Sequence, residues 1–121
     1  MKKYRIPIFT EEYAVNVVIG KRNEVIKELA KYTTYSPKTI TKDFNGRGIC
    51  YNCYPDKHPI IGIDEELNAL TQIATIAHEA IHAIDYMMDC LGIDAKETEF
   101  RGHGVATILR NILRVKTNKV K

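Results

Sequence analysis

"IATIAHEAIHAIDYMMDCLG", residues 73–92, is the stretch on which the reading of this chain turns. Ile73, Ala77, Ala80, Ile84, Met87 and Leu91 recur at helical spacing, which predicts a helix reaching back to about Glu65. Gly92 is placed to stop it in a left-handed cap. So apolar a helix belongs against a core, yet it carries a polar stripe of His78, Glu79, His82, Asp85 and Asp89. Burying ionisable groups without partners is costly, so such a stripe is expected to line a site. His78 and His82, four residues apart, project from one face with their imidazoles close together.

Two such nitrogens make half a zinc site, since zinc takes four ligands in a tetrahedron. Glu79 sits at the edge of the same face, which completes the H-E-x-x-H arrangement His78-Glu79-Ala80-Ile81-His82. The pattern serves hydrolysis: zinc lowers the pKa of a water to about 7 and polarises a carbonyl, and the glutamate takes the proton. A third protein ligand is sought on the next helix, which is expected to start near "DAKE", residues 94–97. There Asp94 and Glu97 form a capping-box-like pair, and Phe100, Val105, Ile108, Leu109, Ile112 and Leu113 make the apolar face. With Glu97 engaged in the cap, Glu99 is preferred to it as the third ligand.

His103 lies one turn after Glu99 on the same face, with two roles open to it. As a fourth ligand it would close the tetrahedron and make the site structural. Standing back, it would donate to an oxyanion or orient a ligand, and this second role fits better, because Glu79 has a purpose as a base only where water is present. Asp85 is expected to orient a histidine or a backbone group rather than to ligate. Asp89 reads as a solvated charge near the helix end.

Around this core the chain reads as one domain, residues 1–121. "YRIPIF" and "AVNVVIG" predict strands, with Pro7 confining the first to an edge. "RNEVIKELAKY", residues 22–32, is an amphipathic helix ended by "TTYSP". Residues 47–63 predict two strands of a hairpin turning at Pro55 and Asp56, with Gly46, Gly48 and Gly62 permitting close backbone approach. His58 is expected to be exposed in that turn, and Tyr51 or Tyr54 could line a groove. The fold class is therefore α+β: a small, mostly antiparallel sheet with helices packed on one face.

The chain is 45% apolar and 27% charged, which excludes disorder and fibrous classes. A net charge of +3, spread thinly until the tail "LRVKTNKVK", is too mild for a nucleic-acid footprint, so nucleic acid is not an expected partner. No apolar run suits a signal sequence or a membrane span. Three cysteines cannot all pair within one chain, and a reducing cytoplasm is the expected location. Cys50 and Cys53 read as strand residues on opposite sides rather than a zinc clip, and Cys90 as a core thiol.

From about Gly46 to Val105, and above all in "IATIAHEAIHAIDYMMDCLGIDAKETEFRGHGVA", the chain resembles the small stand-alone zincin-type metallopeptidases of bacteriophage and prophage genomes, of gluzincin type. The resemblance implies a bare zincin core, with a short sheet, the motif helix and a second helix supplying an acid. It further implies one zinc per chain held by His78, His82 and Glu99, with Glu79 catalytic and a peptide or protein as substrate. Asp85 and Met88 stand where a metzincin would carry a glycine and a third histidine, which sets the chain apart from that group. The competing expectation is a zinc-containing interaction module without catalysis.

Overall fold

One long strand, buried on both faces, organises the molecule by sending alternate side chains to opposite sides. The structure is a computed structural model describing residues 1–53, 57–66 and 68–118, with side chains in the last helix described as far as Leu113. Its elements run β1 (Lys2–Ile8), β2 (Thr10–Gly20), α1 (Arg22–Tyr32), α2 (Pro37–Asp43), β3 (Gly48–Tyr51), β4 (Ile60–Asp64), α3 (Ala69–Leu91) and α4 (Thr98–Asn118). On β2, Val15, Val17 and Ile19 join one apolar cluster and Val18 the other.

The fold is a small α+β domain with a four-stranded mixed sheet in the order β1-β2-β4-β3. β1 with β2 and β3 with β4 are antiparallel, while the central pair β2 and β4 is parallel. The expected mostly antiparallel sheet thus holds at its two outer seams. The centre differs because β2 and β4 are joined by α1, α2 and β3 rather than by a turn, and so long a crossover permits parallel pairing.

The expectation of helices on one face is corrected. α3 and α4 cover the side of Val15, Val17, Ile61 and Ile63, and α1 and α2 cover the side of Val18, Ile49 and Ile60. All of β4 is buried, as a strand covered on both faces must be, which is why "IIGI" does not alternate. α2 has no counterpart among the expected elements; Ser36 starts it by accepting from the Thr39 N–H at 3.2 Å, with Pro37 in the first turn.

Glycines set how closely the layers meet. A Cβ on Gly62 would lie 2.9 Å from Val25 Cγ1, and one on Gly48 2.6 Å from Thr75 Cγ2, so both serve helix packing, while Gly46 has nothing within 4 Å. A Cβ on Gly104 would come within 2.6 Å of Ile84 Cδ1, where α4 crosses α3. Gly104→Val is therefore expected to destabilise the fold by about 1–3 kcal/mol, read as a lower denaturant midpoint; an unchanged midpoint would refute this packing.

α3 begins at Ala69, later than the sequence pattern suggests, because the Asn68 side chain caps the Thr71 N–H at 2.9 Å. It ends as expected at Gly92, with φ of 70°. α4 begins at Thr98 rather than near Asp94. Asp94 accepts from the Lys96 N–H through its side chain and from the Glu97 N–H through its carbonyl, each at 2.9 Å, so the segment is a turn and the expected capping box does not form.

Cys90 is exposed rather than in the core, and His58 is half-buried rather than exposed. Tyr51 lies on the α1 and α2 side, donating to Asp43 Oδ2 at 3.0 Å, away from the motif helix. Cys50, on β3, and Cys53, two residues past the end of that strand, pack against opposite clusters, so only the first is a strand residue. Tyr54 and the turn at Pro55 and Asp56 lie outside the described residues. No described helix is long and apolar enough to cross a membrane.

Candidate metal centre

α3 crosses the sheet with one stripe in the core and the opposite stripe bare. Ile76, Ala80, Ala83, Ile84 and Met87 are buried, which turns His78 and His82 outward. Their Nε2 atoms stand 3.3 Å apart, with the rings nearly perpendicular at 79°. Two nitrogens each about 2.0–2.1 Å from a tetrahedral zinc are separated by about 3.3–3.4 Å, so the pair already has ligand spacing. The His78 side chain is 72% exposed, so the centre faces solvent.

Glu79 turns the other way, toward edge strand β3, and only 7% of its side chain is exposed. Its Oε1 lies 4.0 Å from His78 Nε2, and its buried Oε2 has no hydrogen-bond partner. Gly48 explains the burial: with no Cβ, β3 closes on α3 until Glu79 Cγ lies 2.9 Å from where that Cβ would sit. Burial pushes the Glu79 carboxyl above the ordinary carboxylate range, and the charges of His82 and His78 partly offset this.

His78, Glu79 and His82 form the one group among the described residues whose ligand atoms lie together, all within 4.8 Å. Glu99 and His103 are exposed on α4 and are not brought to it. Arg101 is the side chain that reaches from there to α3; at about 100° per residue, Glu99 and His103 point roughly 160° away from it. The His103 ring instead meets Phe9 at the β1–β2 turn, centroids 6.2 Å apart. Asp85 has a different partner from the one expected. It accepts from Arg101 Nε at 2.7 Å, while Arg101 also donates to the Ala95 carbonyl, so the pair pins the start of α4. Glu97 is exposed in the turn before α4.

A cleft of about 450 Å³ runs from His78 and Glu79 along the N-terminal half of α3, walled by Arg47 and Gly48 on one side and Thr71 and Thr75 on the other. Arg22 fixes that wall by donating to the Phe44 and Gly46 carbonyls and pairing with Asp64 at 3.3 Å. Two neighbours of Glu79 escape the motif. Cys50 follows Gly48 by two, so strand alternation turns it to the same side; burial and the Glu79 charge push its thiol well up. Tyr86 stands one turn after His82, and its phenol is raised by burial and by the charges of Cys50 and Glu79. The repeat of four from His78 through His82 to Tyr86 was the available signal. Compared with known proteins, the chain matches no family model, no curated protein and no solved structure.

Proposed function

We propose that this chain is a zinc-dependent hydrolase of peptide bonds. The observation supporting it is the buried Glu79 carboxylate, with an unpartnered Oε2, beside two imidazole nitrogens at ligand spacing. Leaving a buried polar atom unpaired costs about 1–3 kcal/mol, and such an atom calls for an explanation in function. Zinc, when bound by His78 and His82, would supply Lewis acidity, polarising a carbonyl and lowering the pKa of a water to about 7.

The chain's own residues carry the rest. Glu79 Oε2 accepts a proton from the attacking water, and the raised carboxyl pKa suits it to pass that proton to the leaving nitrogen. β3 borders the cleft with an unpaired edge, which suits a substrate lying extended along it through main-chain hydrogen bonds. The exposure of His78 and the absence of Glu99 and His103 from the group favour the second reading, a zinc-holding interaction module of phage or prophage type.

Metal analysis of untagged protein, followed by digestion of a peptide library, tests the proposal. About one zinc per chain with metal-dependent cleavage is expected; zinc without cleavage would favour the module, and a folded chain that takes no zinc would refute both. On this geometry Glu99→Gln and His103→Ala should leave zinc affinity within roughly threefold, because neither side chain reaches the pair. A loss of roughly a hundredfold in either would show that α4 turns in to complete the shell, as the resemblance implies.

A further inference from the structure

The centre described above has an acceptor for a proton but no assigned donor for the charge that builds up on a carbonyl oxygen under attack. Tyr86 is placed to supply one. It follows His82 by four residues and Glu79 by seven, so it stands about 40° around α3 from the first and about 20° from the second. Helical side chains lean back over the preceding turn, which carries the Tyr86 ring toward His82 and Glu79. The residue is half-buried, and burial first, with the neighbouring Cys50 and Glu79 groups behind it, holds its phenol protonated. Among the described residues its hydroxyl makes no hydrogen bond. An amphipathic phenol with a wet tip and no protein partner is a donor in waiting.

We propose that Tyr86 is a catalytic residue of this site, donating a hydrogen bond through its phenol to the carbonyl oxygen of the bound amide as that oxygen becomes negative. The assignment rests on the hydrolase reading above. No bond forms or breaks at Tyr86: the phenol keeps its proton, and the proton taken from water at Glu79 goes to the leaving nitrogen.

The test is binding of acetohydroxamate, whose charged oxygen stands in for the developing oxyanion, to zinc-loaded protein, measured by calorimetry beside zinc content and thermal midpoint. Tyr86→Phe should keep zinc and midpoint near wild type and weaken acetohydroxamate roughly tenfold or more, with a matching fall in kcat and little change in KM. Equal acetohydroxamate affinity in the two proteins would overturn the proposal, as would loss of zinc or of the fold from Tyr86→Phe. Failure of the underlying reading looks different: the wild-type chain itself would then take up no zinc, or would take it up and cleave no peptide.

Discussion

His78→Ala and His82→Ala should each lower zinc affinity by more than roughly a hundredfold, the upper end of what loss of an outer-shell partner costs a metal site. The reason is arithmetic, since removing one nitrogen leaves half of a pair whose 3.3 Å spacing suits zinc only when both are present. Because both rings point to solvent, the fold should be indifferent, and the thermal midpoint of the metal-free variants should match the metal-free parent. Competition against a chelating dye measures the affinity. Wild-type-like zinc uptake by both variants would mean that the metal, if any, sits elsewhere.

Glu79→Gln should abolish hydrolysis, by roughly 10²–10⁴-fold, while zinc stays bound, because the amide keeps the shape of the side chain and loses the proton acceptor. Loss of zinc together with activity would make Glu79 a ligand and remove the base from the mechanism. The same substitution has a signature in stability. A carboxyl whose pKa is raised by burial contributes stability at pH values below the ordinary glutamate range, and that contribution is lost as pH rises through the raised value. The neutral amide has no such loss. In metal-free protein the variant should therefore gain on the parent as pH rises from acid to neutral, and thermal midpoints across that window that stay parallel would contradict the burial of a charged Glu79.

Much of the centre was legible in the sequence because a helix maps spacing onto space. His78 and His82 had to share a face, and Gly92 had to end α3. The hairpin of β3 and β4 was legible for the same kind of reason, although its glycines proved to serve α1 and α3. What failed was long-range. Asp94 and Glu97 carry the residue types of a capping box, but their backbone closes a turn and the helix waits until Thr98, which removes the reason for setting Glu97 aside in favour of Glu99. Nor does local pattern reveal that Arg101 would seize Asp85, which fixes how α4 is turned and leaves Glu99 and His103 facing away from the pair. The two-sided covering of the sheet was hinted at by the unalternating "IIGI", which periodicity alone cannot separate from a stretch of buried helix.

The parallel seam between β2 and β4 carries a kinetic consequence. It joins Asn16 to Ile60 and Gly20 to Asp64, so the whole of α1, α2 and β3 must be drawn into a loop before its first hydrogen bond forms. The β1–β2 and β3–β4 hairpins need no such closure and can assemble early as two separate ribbons. Until they meet, the facing edges of β2 and β4, whose Val and Ile side chains are buried in the finished fold, stand open to pairing with another molecule. Zinc would arrive too late to help at that stage: its two histidines sit on a single helix and bridge nothing across the seam, so metal uptake could reward the finished fold without hastening it.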